Sequence, residues 1–324
     1  MSKKKNSKVT IANIVTILGL VALTFFVFCG QALQNFENNM GTNVIVALVF
    51  VLLALFVLWL AVHAKSVENN FRPWRIVETF ALLLFFAVSL FTGTTMMKFF
   101  VVNENMVTLK ETASNDISQL SSLIEDFKKN EKERLNTNLQ GYETAAAGYQ
   151  RMTREVEDYV KKINEDGGKR YFSENMMRKI ENIADASPGA KGYKKTWDKE
   201  ISELEEVIAN WNLLKLPDAV KRLEVLSEEV NQKLTLYSKN YDFKIIETNL
   251  SDELTITGSP KNEYKYEVVF PAQVRSASGF SITGLLVIIL IDILVLASYI
   301  FAYRSRKVAP KGGNGTFIGG APLI

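Results

Sequence analysis

Four long apolar runs constrain this chain more than any other feature. A bilayer core about 30 Å thick is crossed by roughly 20 apolar residues in an α-helix. Residues 9–29, 44–64, 75–97 and 280–303 of the 324-residue chain meet that criterion. They predict four transmembrane helices, with membrane lipid as their surroundings. The third run carries Glu78 near one end and is followed by Lys98, both where a long side chain reaches the interface. The first run follows Lys3, Lys4, Lys5 and Lys8, as a secretory signal would. Its apolar stretch outlasts an h-region of roughly 7–15 residues and no small-x-small site follows, so an uncleaved anchor is expected.

Orientation follows from the Lys/Arg bias of the short loops. One side collects the N-terminal lysines, then Lys65, Arg72 and Arg75, then Arg304, Arg306, Lys307 and Lys311. The loop 30–43 on the other side has no Lys or Arg, and Glu37 is its one acid. Both termini are therefore expected in the cytoplasm and residues 103–279 outside it. That stretch holds 26 Lys/Arg against 31 Asp/Glu. Long domains cross largely regardless of charge. The overall charge of +3 sits on the cytoplasmic rims and points to no nucleic-acid partner. The single cysteine, Cys29, leaves the external part without disulfides, which suits a bacterial envelope better than an oxidising extracellular setting.

From residue 105 to about 163 the apolar residues keep a 3–4 spacing (Ala113, Ile117, Leu120, Ile124, Phe127, Leu135, Leu139 and onward), the stripe of an amphipathic helix. Gly141 and Gly148 each cost about 1 kcal/mol in a helix interior, so a kink or hairpin near residues 140–148 stands beside an unbroken helix as an alternative. A short helix is expected from the cap candidate Ser173 to Asp185, followed by a turn at 187–192. The next helix carries Trp197, Ile201, Leu204, Ile208 and Trp211 on one face, and a last one follows Pro217 as far as Tyr241. After residue 242 the texture changes to β-branched and aromatic residues at 243–248, 253–257 and 264–270, with a turn expected at 258–262.

The predicted architecture is thus a membrane all-α fold. Residues 1–102 hold three transmembrane helices, 103–242 an extracytoplasmic helical bundle or coiled coil, and 243–279 a small membrane-proximal β-hairpin. Residues 280–303 form the fourth helix and 304–324 a tail without a core pattern.

Asp292 is the most informative residue, because it interrupts the wholly apolar run 288–296 near the middle of the fourth span. A central Asp is disfavoured by roughly 2.5–3.5 kcal/mol on insertion scales and faces a bundle interior or a wet cavity. It reads either as an ion- or proton-handling carboxylate or as an acid hydrogen-bonded to another helix. Ser89 and Thr92 on the third span and Thr16 on the first lie at compatible depths. Glu78 lies close to Arg72 and Arg75, which suggests a rim ion pair, and Lys98 is placed to snorkel. Small residues recur at intervals of seven, Ala12 and Gly19 on the first span and Ala47, Ala54 and Ala61 on the second. Such seams let helix backbones approach in lipid, within one chain or between copies.

No catalytic constellation appears: the chain lacks a phosphate-binding loop, GxSxG and HExxH. The lone histidine, His63, has no ligand set around it in the sequence, and neither metal nor cofactor is expected. Trp197 and Trp211 read as core, or less readily as an aromatic pocket. The leading expectation is a non-enzymatic membrane protein whose external domain is an interaction, scaffold or sensory module, with an envelope protein or a second copy as partner. The alternative is an ion-conducting or ion-driven subunit using Asp292.

Overall fold

The computed structural model describes residues 2–66, 71–258 and 262–302. In chain order the first elements are α1 (Ser2–Gln34), α2 (Met40–Ser66), α3 (Phe71–Glu104), α4 (Met106–Ala146), β1 (Arg151–Met152), α5 (Arg154–Glu165) and α6 (Gly168–Asn182). Then follow α7 (Lys194–Ala209), α8 (Leu216–Asn240), β2 (Ile245–Thr248), β3 (Glu253–Thr257), α9 (Phe270–Ser276), α10 (Ile282–Val295) and α11 (Ala297–Phe301). The chain divides into two compact units, Met1–Val101 with Ser278–Ile324, and Val102–Ala277. The expected tail 304–324, with its four cations, and the Arg72 side chain lie outside the described residues.

In the first unit, three helices are long and apolar enough to cross a membrane: Ile11–Gln34, Met40–Ser66 and Pro73–Glu104. That is the composition of a multi-pass membrane protein. Their outward faces carry large apolar side chains such as Ile17, Leu52, Phe80 and Leu90, all exposed. Their inward faces join Leu20, Leu23 and Val27 of α1 with Ala47, Ala54 and Ala61 of α2 and Ala81, Phe85 and Val88 of α3 in one core. The alanines of α2 are each 1% exposed. Association inside lipid rests on close van der Waals packing, which these small side chains permit.

The final apolar segment differs from its expected form as one continuous helix. α10 has 14 residues, about 21 Å at 1.5 Å per residue. A turn at Leu296 then leads into the five residues of α11. Ser281 caps α10, its hydroxyl accepting the Gly284 N–H at 2.8 Å.

The second unit is built on α4, 41 residues long. Its stripe Ala113, Ile117, Leu120, Ile124, Phe127 and Leu135 is buried throughout, as are Val220, Leu223, Leu226, Val230 and Leu234 of α8. Each such side chain contributes roughly 1.5–3 kcal/mol on burial. Among these residues sits Glu131, fully buried. It accepts hydrogen bonds from Ser238 Oγ at 2.7 Å, from the Tyr264 hydroxyl at 3.1 Å and from Arg134.

Several expectations are corrected here. Of the two courses open near 140–148, α4 runs through Gly141 and ends at Ala146, inside that stretch; at Gly141 a Cβ would come within 2.8 Å of Ile246 Cβ. The glycine admits β2 against the helix. Gly148, at φ 70°, lies in the connection that ends it. α6 begins at Gly168, five residues before Ser173, and ends with Ile183 in the left-handed region. Trp211 does not share a helix face with Trp197, because α7 stops at Ala209 and Trp211 follows at φ 46°.

The β segment also differs. β2 and β3 form an antiparallel hairpin, with Ile246 opposite Ile256, but they turn at 249–252, before the expected 258–262. The third strand is β1, parallel to β3 with Arg151 opposite Glu253. The stretch 264–270 is no strand. Tyr264 and Phe270 point inward while Lys265 and Glu267 point out, so the alternation reports an extended backbone correctly. The partner is a helix: the Tyr266 N–H donates to Asn231 Oδ1 at 2.9 Å, and Asn231 Nδ2 donates back to the Tyr266 carbonyl at 2.8 Å. Thr235 makes the same two-way exchange with Tyr264 at 3.2 Å. Side chains of α8 thus satisfy the groups that a neighbouring strand would take.

Candidate functional site

Polar residues of all three long helices reach the final apolar segment. From α1, Thr16 Oγ1 accepts the Ser298 N–H at 2.9 Å and donates to the Val295 carbonyl at 3.2 Å. In an unbroken helix the Ser298 N–H would bond to the carbonyl of Leu294, four residues back. A hydroxyl inserted into that ladder is a recognised cause of a helix bend, and it accounts for the turn at Leu296. Gly19, one turn further along α1, lets the backbones meet: a Cβ there would lie 2.8 Å from the Val295 nitrogen. Ala12 is buried on the same face and its carbonyl lies 3.4 Å from Ser298 Oγ.

From α2, Lys65 Nζ donates to the Tyr299 carbonyl at 2.6 Å and lies 4.4 Å from the Tyr299 ring centroid. From α3, buried Glu78 accepts the Tyr299 hydroxyl at 2.7 Å. Ser89 of α3 donates to the Asp292 carboxylate, both groups partly buried. Thr92 does not reach Asp292; its hydroxyl bonds to the carbonyls of Val88 and Ser89 in its own helix. Arg75 is exposed and Lys98 half-buried on α3. His63 stacks on Trp59 at 5.4 Å and meets the Trp74 ring edge at 5.4 Å. Ser298 and Tyr299 were not singled out in the sequence, although two polar groups closing an apolar run are the signal that marks them.

The second unit contains a cleft of about 560 Å³ between α5, α6, the loop 184–189 and the end of α8. Its apolar wall comes from Tyr159, Ile163, Phe172 and Met176, with Tyr171 at the mouth. Its charged groups are Lys162, Arg178, Lys179, Asp166 and Asp242. The rim is pinned. Asp185 Oδ1 accepts from the Ser187 N–H at 2.9 Å and the Ser187 hydroxyl at 2.7 Å, and Asp185 Oδ2 accepts from Asn240 at 2.8 Å. The Ser187 hydroxyl, with its N–H, holds the Asp185 carboxyl below the usual range. Tyr241 donates to the Ala184 carbonyl at 2.7 Å. At the other wall the Tyr159 hydroxyl accepts from Asn138 at 2.7 Å and donates to the Asp242 carbonyl at 3.2 Å. Burial pushes that phenol up.

Lys179 is 8% exposed. Its ammonium donates to the Ala186 carbonyl, and loss of hydration pulls its pKa down. The cleft could not be read from the sequence, because its walls come from four stretches of chain with no shared period. Trp197 and Trp211 are buried, and neither indole N–H meets an acceptor. Among the described residues no three His, Cys, Asp or Glu side chains converge as a metal site would require.

Comparison with protein-family models, with characterised proteins and with solved structures finds no match to this chain.

Proposed function

We propose that this chain is a non-enzymatic membrane protein whose second unit lies outside the cytoplasm and binds a partner or ligand in the α5–α6 cleft. The observation that carries the reading is the cleft itself. Binding sites are concave, of roughly 300–1,000 Å³, with an apolar lining and a few placed polar groups. At about 560 Å³, with aromatic walls and a rim fixed by Asp185, this one has that character.

The membrane unit serves as its anchor. α10 and α11 together run from Ile282 to Phe301, which at 1.5 Å per residue gives about 30 Å, the thickness of a hydrocarbon core. In this reading the segment is a fourth crossing, bent at Leu296. The excess of Lys and Arg in the short loops of one side supports a cytoplasmic position for both termini. A second reading, an ion-driven subunit, is favoured by the half-buried Asp292 carboxylate, although Ser89 supplies it with a structural partner.

The test is photo-crosslinking in intact cells. A photoreactive amino acid replacing Tyr171, at the cleft mouth, is expected to give a discrete adduct. The same group replacing Leu250, fully exposed at the β2–β3 turn, is expected to give none. Equal labelling from both positions, or none from Tyr171, would overturn the proposal.

A further inference from the structure

We infer that the α5–α6 cleft takes an amphiphilic anion: a molecule with one carboxylate or phosphate group on an apolar body. This rests on the reading of the cleft as a binding site and names the chemistry it selects. Three cations border the space, and none is in an ion pair among the described residues. Lys162 is exposed and makes no side-chain hydrogen bond there. Arg178 reaches only the Asn175 side-chain carbonyl, at 3.3 Å. Lys179 reaches only the Ala186 carbonyl. A largely buried ammonium is costly unless an opposite charge compensates it; Asp185, held by Ser187 and Asn240, acts on it without forming an ion pair.

The acids bordering the cleft do not cancel this preference. Asp242 is paired with Lys244 at 2.8 Å. Asp166 is exposed at the end of α5, and so are Lys162 and Arg178, where solvent screens all three; the charge on the border that is shielded from solvent is that of Lys179. Apolar lining comes from the same two helices, Phe172 and Met176 on α6 and Ile163 on α5. An anion with an apolar body therefore finds cationic donors and apolar surface along one cleft. A neutral molecule of the same shape would gain nothing from the charge of those donors. A hydrogen bond to a charged group is worth about 1.5–3 kcal/mol, and a tenfold change in affinity corresponds to about 1.4 kcal/mol.

The experiment compares 4-phenylbutyrate with 4-phenylbutyramide, which share a shape and differ in charge. Each is titrated into the full chain in detergent, with binding read by saturation-transfer NMR. The acid is expected to bind at least tenfold more tightly than the amide. Lys162→Gln with Arg178→Gln, both exposed positions whose loss does not threaten the fold, is expected to abolish that preference. Equal affinity for acid and amide would overturn the charge selection while leaving the cleft as a site. Binding of neither compound, with the Tyr171 adduct still formed in cells, would overturn the amphiphile assignment alone. Binding of neither with no adduct would remove both proposals.

Discussion

Asp116 Oδ2, on α4, accepts the backbone N–H of Phe270 at 2.7 Å across 154 residues of sequence. The same oxygen takes the Val269 N–H at 2.8 Å, and Oδ1 takes the Tyr266 hydroxyl at 2.8 Å. α9 has no capping side chain of its own. A fully buried carboxylate from another helix therefore does the work of an N-cap, satisfying donors that a helix start leaves open. Asp116→Ala strands three donors and is expected to cost roughly 3 kcal/mol or more. Asp116→Asn keeps one acceptor and is expected to cost less. Hydrogen exchange at the Val269 and Phe270 amides, with the thermal midpoint, reports both effects. An unchanged exchange rate in Asp116→Ala would show that α9 is held by packing alone.

Gly141 makes an opposite case, in which a residue poor for helix formation is the stabilising one. Replacing it with Ala gains about 1 kcal/mol of helix propensity. The new Cβ would lie 2.8 Å from Ile246 Cβ and 3.1 Å from the Ile246 carbonyl. Overpacking of this kind typically costs 1–3 kcal/mol, so Gly141→Ala is expected to lower stability and Gly141→Val to lower it further. In a background of Ile246→Gly, which deletes the colliding Cβ, Gly141→Ala is expected to cost less in thermal denaturation than it does in the natural protein. A more stable Gly141→Ala protein would contradict the close approach.

Glu131 gives the second unit a pH signature. Burial, the largest influence, lifts its carboxyl above the ordinary 4.5, against the pull of Ser238, Arg134 and Tyr264. The folded chain then holds this proton more tightly than the unfolded chain. The contribution of the group to stability is full below the unfolded value and falls as pH rises toward the folded one. Glutamine cannot titrate. The stability of the natural protein minus that of Glu131→Gln is therefore expected to fall as pH is raised above about 4.5. Thermal midpoints of both proteins from pH 4 to pH 7 give the comparison. A difference that is flat or rises would mean that the Arg134 and Ser238 contacts outweigh burial.

How far the sequence could be read depends on whether a feature is local. The apolar runs and the stripe Ala113–Ile117–Leu120–Ile124 are periodic and local, and they identify helices directly. The alternation at Tyr264 and Tyr266 identifies extended backbone for the same reason. It cannot say that Asn231 and Thr235 of a helix, rather than a strand, take the hydrogen bonds. Gly141 reads as a weak point because propensity sees only its own helix, whereas its use lies in Ile246, far away in sequence. Asp292 stands out because a lone charge in an apolar run is conspicuous, and Ser89 lies at a matching depth. In the sequence the cleft cations read as ordinary surface residues until folding assembles four stretches of chain around one space.

The Ser89–Asp292 contact separates the two readings of Asp292. If Asp292 is a packing group, Asp292→Asn keeps an acceptor for the Ser89 hydroxyl and is expected to match the natural protein in thermal stability. Ser89→Ala and Asp292→Leu each remove the bond. Interhelical bonds in lipid average about 0.6 kcal/mol and reach about 1.7, so losses of that size are expected. The double variant should lose less than the sum of the two, because both substitutions delete one interaction. If Asp292 instead carries protons, Asp292→Asn would abolish proton flux in liposomes while stability stays unchanged. Ser89→Ala would then alter the pH dependence of that flux, since it removes a hydrogen bond to the charged form. Stability and flux, measured on the same four proteins, therefore give opposite patterns for the two roles. Flux that is absent from the natural protein, or unchanged in Asp292→Asn, with coupled stability losses in the other variants, would leave Asp292 as a fastener between α3 and α10.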